Sequence, residues 1–270
     1  MLVVACVKQV PDTTQVKVDP VTGTLVREGV PFIMNPYDTH ALEESLRLKD
    51  RYGVHVAVIS MGPPNAEVTL RKALALGVDE SILLSDRAFG GADTLATSMV
   101  LAEAIKRLSQ KEEIALVICG RQTIDGDTAQ VGPGIATRLG YTQLTLVDHI
   151  EHLDLKAKKV RVRRKLEGRH EIVEAPLPSM LAVFREINKP RYPTVPLRLM
   201  SEDAPVVLWD NKIMDLDNST IGLKGSPTQV RKIFSPEGAQ GEIIGDGENN
   251  PEKAAHLLIS KLIEKDMLYL

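Results

Sequence analysis

The chain has 270 residues, 43% of them hydrophobic and 26% charged, with a formal net charge of −3 at pH 7. That length buries one substantial core, or one core with a smaller appendage, and the composition is that of an ordinary globular protein. Four Phe, five Tyr and one Trp with near-neutral charge offer nucleic acid neither an electrostatic footprint nor a stacking surface, and no apolar run reaches the roughly 18 residues of a membrane span.

Leu2–Val7 is short, apolar and β-branched, as a strand buried on both faces of a parallel sheet should be. Met1 leads straight into it without a signal-peptide pattern, which predicts a cytoplasmic protein. Lys8-Gln9-Val10-Pro11-Asp12 leaves the C-terminal end of that strand as a loop. Val16–Val18 and Leu25–Arg27 flank the turn-rich Asp19-Pro20-Val21-Thr22-Gly23, which predicts a small hairpin ahead of the first helix. For that helix Asn35 is a good N-cap, Pro36 suits the first position, and Asp38 complements the dipole. Val54–Ser60 is a second buried strand, broken by Met61-Gly62-Pro63-Pro64-Asn65 before a helix over Ala66–Leu76 that Gly77 closes. Ser81–Leu84 is a third strand. Asp93 caps a helix over Thr94–Leu108, with Leu95, Met99, Ala102, Ile105 and Leu108 on one stripe.

A fourth strand, Ile114–Cys119, runs into Gly120-Arg121-Gln122-Thr123-Ile124-Asp125-Gly126-Asp127-Thr128-Ala129-Gln130-Val131-Gly132-Pro133-Gly134. Strand C-termini are the edge of an open α/β sheet where ligands bind, because backbone N–H groups and the next helix start converge there. Asp127 or Thr128 is expected to cap that helix, whose Val131, Ile135 and Leu139 keep helical spacing until Gly140. Gly120, Gly126 and Gly132 at a helix start suit an anionic phosphate. A tight βα turn with capping acids gives the same string without any ligand, and both readings stay open on the loop alone. Asn35-Pro36-Tyr37-Asp38 carries the same pair of readings, as a helix cap or as part of a ligand edge.

After Gly140 the pattern changes. Leu144–Val147, Val160–Leu166 and Ile172–Ala175 read as antiparallel strands, with Glu167-Gly168 as a turn. Eight basic residues lie from Lys156 to Arg169 against the single acid Glu167. Alternation puts Lys159, Arg161, Arg163 and Lys165 on one face and aims Arg164 inward, either as a paired structural charge or as a ligand contact. Ser179–Phe184 is one more strand. The segment from Asn188 to Pro196 holds three prolines and excludes a helix or central strand. From Leu197 to Asn250 there is little periodicity, and Asn250-Pro251 opens a last amphipathic helix. The expectation is a doubly wound, parallel, Rossmann-like α/β domain over 1–196 with an added antiparallel hairpin, and a C-terminal arm over 197–270. Cys6 and Cys119 each sit late in a buried strand near one sheet edge; neither a disulfide framework nor a zinc spacing is present, and the six histidines show no ligand pattern.

Taken together, Val7-Lys8-Gln9-Val10-Pro11-Asp12, Asn35-Pro36-Tyr37-Asp38, Gly120-Arg121-Gln122 with Asp125, and Asn188-Lys189-Pro190-Arg191-Tyr192 resemble the beta (small) subunit of electron-transfer flavoprotein over essentially the full length. A family signature also matches Val162, Arg164, Glu167, Gly168, Glu171, Val173, Pro178, Met180 and Leu181, with Arg169 departing from the usual acid or glycine. The resemblance implies a heterodimer with a larger alpha subunit, on which the arm would dock. It also implies an adenine-nucleotide site made of Cys6, Asn35, Pro36, Tyr37, Asp38, Met61, Gly120, Arg121, Gln122, Thr123, Ile124, Asp125, Gly126, Asp127, Thr128, Ala129, Gln130 and Val131. In simple electron carriers of this family, which work between acyl-CoA dehydrogenases and a quinone-linked acceptor, that site holds AMP. In electron-bifurcating members it holds an FAD that takes hydride from NADH. Asp125–Pro133 resembles the bifurcating pattern, which implies FAD as cofactor, NADH as donor, and an acyl-CoA or related dehydrogenase and ferredoxin or flavodoxin as partners. No side chain is assigned a catalytic role, because the flavin carries the redox chemistry. A nucleotide-sensing module without redox function is the alternative from another class.

Overall fold

The apolar runs of the sequence become the strands of one sheet in the computed structural model, which describes residues 1–12, 17–18, 25–26, 31–229 and 241–268. After β1 (Leu2–Cys6), the short strands β2 (Gln9–Pro11), β3 (Lys17–Val18), β4 (Leu25–Val26) and β5 (Phe32–Met34) form two antiparallel pairs, β2 with β5 and β3 with β4. The second pair is the hairpin the sequence predicts; its turn, 19–23, and positions 16 and 27 lie outside the described residues. Then follow α1 (Pro36–Tyr52), β6 (His55–Met61), α2 (Glu67–Leu76), β7 (Glu80–Leu84), α3 (Thr94–Ser109), β8 (Ile114–Gly120) and α4 (Val131–Leu139). The chain continues through β9 (Thr142–Asp154), β10 (Lys159–Leu166), β11 (Arg169–Pro176), β12 (Ser179–Val183), α5 (Val195–Asp203), β13 (Val207–Trp209), α6 (Asn211–Met214) and α7 (Pro251–Glu264).

The main sheet has nine strands in the order β11-β10-β9-β12-β8-β1-β6-β7-β13. From β9 to β13 all neighbours are parallel; β10 and β11 extend the β9 edge as antiparallel hairpins. Alternation along β1 sends Val3, Ala5 and Val7 into a core shared with α1 and α2, and Leu2, Val4 and Cys6 into a second core shared with α3 and α4. Each buried Val, Leu or Ile contributes roughly 1.5–3 kcal/mol, so both faces of the sheet are hydrophobically anchored. From β1 the chain moves outward to β6 and β7, then returns to β8 on the other side of β1. That reversal is a topological switch point, and it opens a crevice at the C-terminal ends of β1 and β8.

The sequence places a boundary at 196, but the contacts divide the chain into Met1–Ile233 and Phe234–Leu270. The reason is the packing of the intervening stretch. Arg71 on α2 donates to the carbonyls of Ser201, Glu202 and Ala204, at 3.2, 2.9 and 3.2 Å, satisfying groups the end of α5 leaves open. β13 adds to β7, and Trp209, Met214 and Ile221 enter the core. These elements are three or four residues long, too short to show a period in sequence. In the second unit α7 starts as expected: Pro251 holds the first turn and the Asn250 side chain accepts from Lys253 N at 3.3 Å. None of the α7 residues is buried.

Candidate functional site

The crevice is a cavity of about 910 Å³ at the C-terminal ends of β1, β6, β7 and β8. Of the residues expected from sequence, Cys6, Asp38, Met61, Gly120, Arg121, Gln122, Thr123, Gly126, Thr128, Ala129, Gln130 and Val131 line it. Asn35, Pro36, Tyr37, Ile124, Asp125 and Asp127 stand behind that lining, and three of them hold the loop in place. Asn35 occupies the N-cap position of α1, yet its side chain does not cap the helix. Its Nδ2 donates to Gln122 O at 2.9 Å and its Oδ1 accepts from Ile124 N at 3.2 Å. Asp125 pairs with Lys8 Nζ at 2.7 Å. Burial pushes its carboxyl up, but the bonds from Lys8 and Thr123 outweigh that and hold it below the usual carboxylate range. Asp127 accepts from Gln122 Nε2.

Asp38 ties the edge together. It is 4% exposed. Its carboxylate accepts from Lys8 N at 2.8 Å and from Gly120 N at 3.2 Å, so one side chain from α1 closes the ends of both β1 and β8. Burial raises it to about 7 against the opposing pull of the Lys8, Asn35 and Gly120 hydrogen bonds. The close approach makes Gly120 obligatory, because a Cβ there would sit 2.6 Å from Tyr37 Cβ and collide with the Asp38 carboxylate.

The helix after the loop starts later than the sequence suggests. Asp127 and Ala129 adopt φ of 54° and 55°, and Asp127 N bonds back to Thr123 O at 2.8 Å.

 Neither Asp127 nor Thr128 caps it: α4 begins at Val131, and Gln130 at its N-cap makes no side-chain capping bond. Left-handed residues at 127 and 129 fold the loop back before the helix can begin. The N–H groups of Val131 and Gly132 therefore meet no side-chain acceptor among the described residues, and Pro133 has no N–H to offer. The start of α3 differs. There Asp93 accepts from Leu95 N and Ala96 N at 2.9 and 3.1 Å, and its other oxygen takes Thr228 N and Oγ1. At the cavity the start of α3 is closed by a carboxylate, whereas the start of α4 is open.

Sequence reasoning missed the third βα connection. Arg87, Phe89, Gly90, Gly91 and Thr94 line the cavity, with Thr97 and Leu101 of α3 and Gly62–Pro64 after β6. Gly90-Gly91 between a buried strand and an N-cap aspartate is the same signal that marked the Gly120 loop. Arg164, aimed inward as expected, is the structural alternative: it donates to Thr145 O at 2.8 Å and Thr145 Oγ1 at 3.2 Å and pairs with Glu171 at 3.3 Å. It does not line the cavity.

The arrangement is a crevice at the C-terminal strand ends beside the uncapped start of α4. The family model described as "Electron transfer flavoprotein domain" matches residues 22–213. The chain is 49% identical over 266 residues to the electron transfer flavoprotein subunit beta of Clostridium acetobutylicum, covering 98% of this chain and 99% of the relative. It is 46% identical over 269 residues to the caffeyl-CoA reductase-Etf complex subunit CarD of Acetobacterium woodii, covering 99% and 100%. Protein FixA of Azotobacter vinelandii is 45% identical over 262 residues, covering 96% and 93%. The chain belongs to the electron transfer flavoprotein family, as a beta-type, small subunit.

Proposed function

We propose that this subunit holds FAD in the cavity at the β1–β8 switch point, accepts hydride there from NADH, and divides the electrons between a flavin of an alpha subunit and a low-potential carrier such as ferredoxin or flavodoxin. The observation that carries the reading is the open start of α4 beside the Gly120–Val131 loop. Val131 and Gly132 line the cavity at a helix start that no side chain caps, which suits phosphate oxygens, and the helix dipole favours negative charge there. The volume of about 910 Å³ lies near the top of the roughly 300–1,000 Å³ range of small-molecule sites, room for a dinucleotide. Bound FAD would supply the hydride acceptance and the one-electron chemistry. The chain's own part is positioning. Asp38 and Asn35 fix the loop, Lys8 neutralises Asp125 so that this acid does not repel the phosphates, and Met61, Phe89 and Leu101 give an apolar wall. The name of the Acetobacterium relative, a subunit of a caffeyl-CoA reductase-Etf complex, supports an acyl-CoA or related dehydrogenase as partner.

One observation favours a second reading, a simple carrier with structural AMP. Asp93 closes the start of α3, which leaves α4 as the uncapped one of these two helix starts for phosphate. Releasing the nucleotide from the purified heterodimer by denaturation and identifying it separates the two. A bifurcating protein yields two FAD per heterodimer and reduces the low-potential carrier from NADH only when a high-potential acceptor is also present. One FAD with AMP and no NADH oxidation establishes the simple carrier. A colourless complex carrying ATP would instead favour a nucleotide-sensing module.

A further inference from the structure

Cys6 and Cys119 are the chain's two cysteines, and their placement has chemical content that nucleotide binding does not use. Cys6 is the last residue of β1, and Cys119 stands one residue before the end of β8. The strands are parallel neighbours, with Cys6 and Cys119 paired in register. Both side chains go to the α3–α4 face of the sheet, into the cluster that contains Ile135 and Met180. Cys119 Sγ lies 3.8 Å from Met180 Sδ, and a Cβ on Gly132 would come within 3.1 Å of Cys119 Sγ. Each cysteine is nearly buried, at 6% and 7% exposure, and both line the cavity. The hydrogen bond with Cys119, and after it burial, push the Cys6 thiol up, so Cys6 rests as a neutral thiol.

Adjacent strands lie about 4.7–4.9 Å apart, inside the Cα separation of about 4.4–6.8 Å that a disulfide spans. The two cysteines form the last register pair of the β1–β8 ladder, at the strand ends that face the cavity. We propose that Cys6 and Cys119 form a modification site, a dithiol on the floor of the cavity that closes to a disulfide within the subunit when a small two-electron oxidant enters, and that bound nucleotide shields. With an azodicarboxamide as oxidant, one thiol adds across the N=N bond. The second thiol then attacks that sulfur and expels a hydrazine. The cysteines lose two electrons and two protons, and the azo group gains both. The shielding half of the proposal rests on the nucleotide reading of the cavity; the dithiol itself does not.

The test uses the full-length chain in its complex, once loaded with nucleotide and once stripped of it. Both forms are exposed to diamide, then denatured, and free thiols are blocked with N-ethylmaleimide and counted by intact mass. The stripped form is expected to lose both thiols together, to yield a cross-linked Cys6–Cys119 peptide, and to regain both thiols with dithiothreitol. Saturating FAD or AMP, with occupancy measured separately by equilibrium dialysis, is expected to slow the reaction roughly tenfold or more. Cys6→Ser and Cys119→Ser each keep one thiol and form no internal cross-link. Two free thiols in the stripped protein after diamide, or disulfides only between chains, would overturn the dithiol. An unchanged rate at proven occupancy would overturn the shielding. A cross-link in a protein that binds no nucleotide would leave the dithiol standing and remove the proposed function instead.

Discussion

Asp38 is the residue on which the site edge depends, and its titration is readable in stability. Its carboxyl is raised from 3.8 to about 7 in the folded chain. Between those values the folded state holds a proton that the unfolded state has released, so this group's contribution to stability falls as pH rises through that window and levels off above about 7. The slope is at most ~1.4 kcal/mol per pH unit. Denaturant unfolding of the nucleotide-free chain at several pH values should show it, and Asp38→Asn should flatten it. Gly120→Ala should weaken nucleotide binding by roughly tenfold or more, because the added Cβ displaces Tyr37 and Asp38 from the loop they hold; unchanged affinity by equilibrium dialysis would contradict this. These residues were legible in the sequence as types at a strand end. Their partners were not: Asn35 reads locally as a helix cap, yet it bonds to Gln122 and Ile124, more than eighty positions away, through contacts only the folded sheet creates.

At the scale of elements, the open start of α4 makes a distinct prediction. Gln130→Asp places a carboxylate beside the uncapped start of α4, so it should strengthen the helix through its dipole by about 0.3–1 kcal/mol while competing with phosphate for the same N–H groups. Higher thermal stability of the free chain together with weaker nucleotide affinity is the expected pair of results; tighter binding would contradict it. The segment after β12 is held to α1 by Arg191, which donates to Glu43 at 2.9 Å and to Asp50 at 2.7 Å. Glu43 is 5% exposed, so Arg191→Ala leaves a nearly buried carboxylate with Arg47 and the backbone N–H of residue 191 beside it, at a cost of about 1–3 kcal/mol in urea unfolding. Strands and helices with a full period were readable to within a residue or two, from β1 through β8. The start of α4 was not, because positive φ at a non-glycine residue leaves no trace in composition.

For the whole molecule, the division at 233 changes what the C-terminal region can do alone. Residues 195–229 are committed to the first unit by Arg71, β13 and Trp209, which leaves α7 as the element with no buried face, its Leu257, Leu258 and Ile259 each about 40–45% exposed. Deleting 250–270 should therefore weaken pairing with an alpha subunit while leaving nucleotide affinity and far-ultraviolet circular dichroism of the first unit near their original values; sedimentation showing unchanged pairing would remove α7 from that role. The sequence predicts a C-terminal arm from 197; the short elements that keep 195–229 with the first unit have no repeat to read.

The position of β12 also dictates an order of events during synthesis. β9, β10 and β11 leave the ribosome before β12, yet β12 separates β9 from β8 in the finished sheet. Until Val183 has emerged, a nascent chain owns two unjoined pieces, β8-β1-β6-β7 and the β9–β11 meander, each with a bare apolar margin. Ribosome-stalled chains ending before Ser179 should be cut readily by protease between the two pieces, whereas chains with Val183 free of the tunnel should resist. The last strand made on that side of the sheet is the one that welds it.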